Sequence, residues 1–429
     1  MSGPVTRSSL REAIGDRGAF AIFLIAIVLR LAWAGFDHAN YPDEDHYRYE
    51  DAAEYSAVAD NLLSGKGWWS PDRGGQIYHH GPVFPLYVAG IRALGASLFT
   101  VTLVNALVGA LTCWGVVLLA RRLTSREGAL LAGLAMAVYP YFIHYTAKIL
   151  TETLSIFFGL LLFATLLRFS RGPGALNAIV AGLVLGLATL NHPETYIAPP
   201  LLLLWIVAAH PERMRALKGL ALLFVVFGLT LLPWHAYHAV RSGKNILLPP
   251  SLGADGVLSQ AALDAKGRIE GNPAYFNEAR QRLNREGKML EEAHGVGRGT
   301  LAAVAKVMQD AIDQPGEYLH FVALKFKGMW GLAPEYGVYK RPWIVIPTGA
   351  LNLLLYAGFM AGLVLYRPRE EAVLALTLVV IYTIPHLIYY AQPRYKLPVM
   401  PVVIIFAGVT ANALLMWVKA RRRPVEETL

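Results

Sequence analysis

Ten apolar runs, each near the length of a membrane crossing, leave this chain few folds to choose from. They lie at 18–36, 97–120, 128–146, 149–167, 174–191, 194–210, 217–237, 343–365, 370–390 and 397–418. A helix needs about 17 to 25 such residues to cross the hydrocarbon core of a bilayer. In lipid every backbone N–H and C=O must be satisfied within the segment, which selects helices. The expected fold is an all-α polytopic membrane protein with about ten transmembrane helices. Composition agrees: 55% of residues are hydrophobic, mean hydropathy is +0.41 and only 16% are charged, against about 25% in soluble proteins. The net charge of +9 does not signal nucleic acid, because the basic residues stand at the ends of apolar runs, where they orient a membrane protein. Cys113, the single cysteine, lies inside an apolar run and reads as a small core residue, so no intrachain disulfide or cysteine metal cage can form.

A cytoplasmic N-terminus collects the basic groups on one side: Arg7, Arg11 and Arg17; Arg121, Arg122 and Arg126; Arg168 and Arg171; Arg213, Arg215 and Lys218; Arg367 and Arg369; Lys419 and Arg421 to Arg423. The short outer connections keep Lys148, Arg394 and Lys396. This asymmetry implies an even number of spans with both termini inside. The first run is long and no small-residue cleavage pattern follows it, so it reads as a span rather than a signal peptide. Two segments stay outside. Residues 37–96 form a first outer loop, in which 51–64 carries Ala52, Tyr55, Val58, Ala59, Leu62 and Leu63 on one helical face, the pattern of an interface helix. Residues 238–342 form a long outer loop broken by Pro249, Pro250, Gly253, Gly256, Gly271, Pro273, Gly295 and Gly297, with helical periodicity over 298–329. The organisation is thus 1–237 with seven spans and the first outer loop, 238–342 as an outer cap, and 343–429 with three spans and a basic tail.

With this orientation, polar residues far apart in sequence share one depth. Asp43, Glu44, Asp45, Glu50, Asp51 and Glu54 place six carboxylates within twelve residues beside the membrane. Such density costs self-repulsion unless a cation or proton donor binds there. His79 and His80, His144 and Lys148, Glu152, His192 and Glu194, His235 and His238, and Arg394 with Tyr395 and Lys396 fall at the same boundary. Ionisable residues at such depth are functional candidates by default. Arg394 and Lys396, in Pro-Arg-Tyr-Lys-Leu-Pro, can meet an anionic headgroup, the guanidinium bidentately; snorkelling to the interface is the plainer reading. Lys148 divides between the same two. Glu152 stands at i+4 from Lys148 and is expected to pair with it. Arg30, within the first run, is expected to reach an outer-loop carboxylate or the interface. Asn191-His192-Pro193-Glu194 reads as a turn and helix start. His79-His80 and His235-x-x-His238 lack a carboxylate at diagnostic spacing and give no support for a metal. Asp51 could simply cap the interface helix, but capping uses one carboxylate where six are present. A partly desolvated carboxylate can serve as general base toward a hydroxyl while a nearby cation stabilises a departing phosphate.

Several stretches resemble the bacterial membrane glycosyltransferases of the GT-C type, the broad group that includes dolichyl-phosphate-mannose protein mannosyltransferases and lipid A aminoarabinose transferases. They are Arg30 in the first span; Asp51-x-x-x-Tyr55-x-x-x-Ala59-x-Asn61-Leu62-Leu63-x-Gly65-x-Gly67; Gly81-Pro-Val-Phe-Pro-Leu-Tyr87; Leu150-Thr-Glu-Thr-Leu154; Asn191-His-Pro-Glu194; and Arg394-Tyr-Lys-Leu-Pro398. The resemblance implies the GT-C fold, with interface helices in the first outer loop and a long outer loop before the last three spans. It implies inverting transfer of a sugar from a polyprenyl-monophosphate donor to a hydroxyl of a glycolipid, polysaccharide or protein, at the periplasmic face of the bacterial inner membrane. Asp51 would be the base, with Asp43 in Tyr41-Pro-Asp-Glu-Asp45 as the alternative. Arg394, Lys148 and Lys396 would hold the phosphate, and Tyr55, His80, Glu152, His192, Glu194 and Tyr395 would contact substrate. No cofactor is required by such a displacement. The Thr-Arg-Pro of many relatives is Asn191-His192-Pro193 here, so the contact made by that arginine is not carried over. A transporter would place its polar groups near the midplane with repeated halves, and neither pattern is found. A lipid-phosphate hydrolase or exchanger remains the nearer competitor.

Overall fold

The computed structural model describes residues 15–42, 47, 51–70, 76–78, 80–242, 253–263, 266, 278–333 and 342–421. The described residues are helical apart from short connections and a two-residue hairpin, β1 (Trp69–Ser70) against β2 (Gln76–Ile77). From the N-terminus the helices are α1 (Arg17–Asn40), α2 (Asp51–Leu63), α3 (Val83–Arg92), α4 (Leu98–Ala120), α5 (Arg126–Val138), α6 (Pro140–Thr146), α7 (Glu152–Arg171), α8 (Ala175–Asn191), α9 (Ala198–Ala209) and α10 (Arg213–Ser242). Then follow α11 (Ala254–Ala261), α12 (Arg280–His294), α13 (Val296–Asp313), α14 (Pro315–Trp330), α15 (Pro342–Leu365), α16 (Arg369–Ile388) and α17 (Met400–Arg421). Two 3-10 turns, Pro193–Ile197 and Pro393–Val399, lead into α9 and α17.

Every apolar run of the sequence is helical, but not every one is a straight span. Among the described residues, seven helical segments are long and apolar enough to cross a membrane. Helices α5 and α6 pass that test only together, with a 51° bend, while α8 and the turn-plus-α9 segment are shorter. The bend has a local cause. Pro140 has no N–H to give the Met136 carbonyl, so the helix breaks. Arg30 fills the gap from α1: its Nη1 donates to Ala137 O at 3.2 Å and to Ala26 O at 3.2 Å, and its Nη2 to Met136 O at 3.4 Å. Arg30 is 1% exposed. It therefore caps a broken helix, and the expected pairing with an outer-loop carboxylate or the interface is corrected by this geometry.

The helix ends are clamped at the far end of the bundle, away from the site described below. Asp16 caps α1 by accepting from Gly18 N. Its carboxylate also takes two bonds from Arg126, Nε at 2.8 Å and Nη2 at 2.7 Å, and one from Arg121. The Arg126 hydrogen bond, more than any other influence, holds the Asp16 carboxyl below its ordinary range. Arg171, ending α7, grips Glu371 at the start of α16 with Nε at 2.5 Å and Nη2 at 2.9 Å, and Tyr366 donates to the same carboxylate at 2.6 Å. Residues 253–263 and 278–333 carry a hydrophobic core of their own, built on Ala254, Val257, Leu258, Leu283, Ala303, Val307 and Phe321. The periodicity over 298–329 anticipated α13 and α14, and the structure adds α11 and α12.

At the opposite end, two glycines allow the close approaches that build the site. Gly159, two turns into α7, has no room for a Cβ against the Pro398 carbonyl. Its absence lets the Pro393–Val399 turn lie directly on α7. Gly81 does the same against the Leu190 carbonyl, setting the start of α3 against the end of α8.

Candidate active site

Arg394 is the centre of the polar cluster at this end. It enters the second residue of the Pro393–Val399 turn, whose leading Gln392 is extended at φ −138°. Its Nη2 donates to Asp51 Oδ2 at 3.0 Å and its Nη1 reaches Glu152 Oε1 at 3.3 Å. One guanidinium thus joins the first residue of α2, the first residue of α7 and the entry to α17. Asp51 keeps half its side chain exposed (53%), whereas the Arg394 side chain is 13% exposed and Glu152 is buried. Tyr55, one turn along α2, is buried between Tyr78, His80 and Phe84, at ring distances of 6.5, 6.3 and 5.1 Å. Burial pushes its phenol well up, and the charges of Asp51 and Glu152 push the same way while Arg394 opposes them.

Imidazoles and further carboxylates surround this pair. His80 Nε2 stands 3.7 Å from Glu54 Oε2, on the next turn of α2. His192 Nδ1 abuts Glu194 Oε2 across the Pro193 turn, and His386 Nε2 lies 3.8 Å from the same oxygen. Tyr395 stacks on His386 at 4.2 Å and 5°, and lies 5.7 Å from His192. The structure therefore brings Asp51, Tyr55, His80, Glu152, His192, Glu194, Arg394 and Tyr395 into one neighbourhood.

Two expectations land elsewhere. Lys148 does not pair with Glu152; its Nζ meets Asp37 Oδ1 at 3.2 Å, because the chain between them turns before α7 begins and Arg394 has taken Glu152. The i, i+4 pairing is thereby corrected. Lys396 is fully buried, with Nζ donating to Gly331 O at 3.3 Å and lying 5.6 Å from the rings of Tyr141 and Tyr356, apart from the Arg394 cluster. Asp43 and His79 lie outside the described residues. His235 accepts or donates at Tyr196 Oη, 2.6 Å away, and His238 packs edge-on against Trp234. Asp37, directly after the first run, and His386 escaped the sequence reading, although His386 stands inside the 370–390 run, where an ionisable group is itself a signal.

Chemically, the half-exposed Asp51 carboxylate can accept a proton, while the buried Arg394 guanidinium beside it can donate to an oxyanion. Neutral hydroxyls have partners in the surrounding imidazoles and tyrosines. Among the described residues no three His, Cys, Asp or Glu side chains are arranged to hold a metal ion.

Comparison with known proteins agrees with this architecture. Residues 79–237, less than half of the chain, match the family model of dolichyl-phosphate-mannose-protein mannosyltransferase. No curated protein matches the chain in sequence. The fold is similar to that of an oligosaccharyltransferase from Archaeoglobus fulgidus, crystallised with a tethered acceptor peptide containing the NVT sequon. That structure has a TM-score of 0.60 and 16% identity over 96% of this chain and 51% of that one. The AglB oligosaccharyltransferase of the same organism, in complex with an inhibitory peptide and a dolichol-phosphate, gives 0.56 and 15% over 98% and 53%. ArnT from Cupriavidus metallidurans in the apo state gives 0.49 and 16% over 85% and 56%. The chain spans about half the length of the oligosaccharyltransferases it matches. In architecture and in the family match at its centre, the chain has the GT-C fold of integral-membrane glycosyltransferases.

Proposed function

We propose that this protein transfers a sugar from a polyprenyl-monophosphate donor to a hydroxyl acceptor, with inversion, on the periplasmic side of a bacterial inner membrane and with both termini in the cytoplasm. The observation that carries the reading is the contact of Asp51 and Arg394: a base and an oxyanion ligand at hydrogen-bond distance, supplied by the first loop and the last span. The dolichol-phosphate bound by the archaeal protein of the same fold supports a lipid phosphate as donor.

Asp51 removes the proton of the acceptor hydroxyl as its oxygen forms a bond to the anomeric carbon. The bond from that carbon to the phosphate oxygen breaks, and its electron pair leaves with the polyprenyl phosphate. Arg394 neutralises the charge that develops there, so no general acid is needed. Glu152 holds the guanidinium from behind, and Lys148, seated on Asp37, adds a second cation on the α7 side. His80, His192, Glu194, Tyr55 and Tyr395 line the space for the sugar and acceptor hydroxyls. Lys396 supports the turn that carries Arg394. The cap, joined to this end where Lys325 donates to Ile388 O, covers the sugar in this reading and limits water.

The acceptor is a glycolipid, a polysaccharide or a protein hydroxyl. The test is mass spectrometry of the purified protein incubated with polyprenyl-phosphate sugars and crude envelope glycolipid. Free polyprenyl phosphate together with an acceptor heavier by one sugar is the expected result. Free sugar without a modified acceptor would make the protein a hydrolase, and an untouched donor panel would refute the transferase reading.

A further inference from the structure

We propose that the donor's phosphate sits on the Nε/Nη2 edge of Arg394, and that in the unliganded protein Asp51 occupies half of this edge, so that donor binding itself uncovers the base. The inference rests on the reading given under Proposed function and specifies how that site is switched on.

The molecule supplies its own standard for a filled guanidinium edge. Arg126 offers Nε and Nη2 together to Asp16, at 2.8 and 2.7 Å, and Arg171 offers the same two nitrogens to Glu371, at 2.5 and 2.9 Å. In both, one carboxylate accepts two parallel bonds, the favoured geometry for a two-oxygen anion. Arg394 is different. Its Nη2 reaches Asp51 at 3.0 Å, its Nη1, on the opposite side, reaches Glu152 at 3.3 Å, and its buried Nε has no hydrogen-bond partner. A buried donor left without an acceptor is unfavourable. One oxyanion with two free oxygens would satisfy Nε and Nη2 at once, and only Asp51 stands in its place.

The two carboxylates differ in how easily they can leave. Asp51 is 53% exposed on the first turn of α2, so water can solvate it once the contact opens, and a half-exposed ion pair is a weak one. Glu152 is 5% exposed at the base of α7 and has no comparable access to water; a buried charge stripped of its partner is strongly disfavoured. Exchange therefore proceeds at Nη2 and not at Nη1. The Asp51 contact is lost, two bonds to phosphate oxygens form, and Glu152 keeps the guanidinium in place. No covalent bond changes in this step. Asp51 is left without its cationic neighbour, beside the anomeric carbon that the phosphate has brought in. The base is masked while the site is empty and free when the donor is present.

This exchange makes a statement about binding that a purely structural ion pair does not. Removing the competitor should tighten the lipid phosphate, although it removes the base. The experiment measures binding of undecaprenyl phosphate to the purified full-length protein in detergent, by tryptophan fluorescence, for wild type, Asp51→Asn, Glu54→Gln and Arg394→Gln. Glu54→Gln removes an equal charge one turn further along α2 and reports the general electrostatic effect. We expect the dissociation constant to fall about tenfold in Asp51→Asn and to stay within about twofold in Glu54→Gln, both with unchanged melting, and to rise at least tenfold in Arg394→Gln, which melts lower because Glu152 loses its partner. An Asp51→Asn protein that binds no more tightly than wild type, or no more tightly than Glu54→Gln, overturns the exchange while leaving Arg394 as a phosphate ligand. A folded wild type that does not bind, or an Arg394→Gln protein that binds equally well, removes the phosphate reading and the exchange with it.

Discussion

Single residues hold this site through the partners they already have. Glu152 anchors Arg394 from a buried position, so Glu152→Gln should keep the fold but weaken the hold on the guanidinium, with transfer reduced about tenfold or more, as measured in initial rates. Arg30 shows the opposite case of a conspicuous charge with a structural task. Arg30→Met should strip the Met136 and Ala137 carbonyls of their donors, at about 1–3 kcal/mol for each group left unpaired, and lower the melting temperature in detergent. A melting temperature equal to wild type would show that the helix break does not depend on Arg30. The sequence made the two kinds of residue look alike, because an arginine in an apolar run says that a partner exists without saying which. Asp51 and Arg394 were legible because both lie at the membrane boundary beside prolines, glycines or other acids. The link between Lys148 and Asp37 was not, because it depends on the chain turning before α7 and on Arg394 claiming Glu152 first.

Between elements, close backbone approach does what side-chain pattern alone does not reveal. Gly159 on α7 lies against the Pro398 carbonyl, and the turn that presents Arg394 depends on that contact. Gly159→Ala should force the turn away from α7, costing about 1–3 kcal/mol and most of the activity. Gly90, in α3 with open space around it, provides the control: Gly90→Ala should leave both unchanged or raise stability by up to about 1 kcal/mol. Equal behaviour of the two variants would contradict the role given to the Gly159 contact. Helix positions were legible from apolar runs, since α1, α4, α7 and α10 each fall on one. The bend at Pro140 and the two 3-10 turns were not, because an apolar run of span length reads the same whether it is straight or broken.

At the scale of the molecule, the cap and the membrane helices meet through α14 and α16. Lys325, 1% exposed, donates to Gln260 O of α11 at 3.1 Å and to Ile388 O at the end of α16 at 2.9 Å, and lies 4.0 Å over the Phe321 ring. Burial pushes its amine down to about 7 from an ordinary 10.5. Between those values the unfolded chain binds a proton that the fold does not, so stability rises with pH across that window and is least below pH 7. Limited proteolysis of the cap should accordingly slow as pH rises from 7 toward 10.5, and Lys325→Met should abolish the trend. A wild-type cap cleaved faster at the higher pH would reverse the assignment. The breakers within 238–342 pointed to a separate segment, although Pro249, Pro250, Gly271 and Pro273 lie outside the described residues, and the Leu258 and Leu283 side of its core was hidden among residues without strong periodicity before 298. The most direct test of the whole is the single-turnover rate of sugar transfer by wild type and Asp51→Asn at saturating donor, with binding followed in the same samples. A loss of at least about a hundredfold in rate, with donor still bound, is the expected outcome for a general base. A folded Asp51→Asn protein that transfers at near wild-type rate would contradict the central claim that Asp51 and Arg394 form one reaction centre.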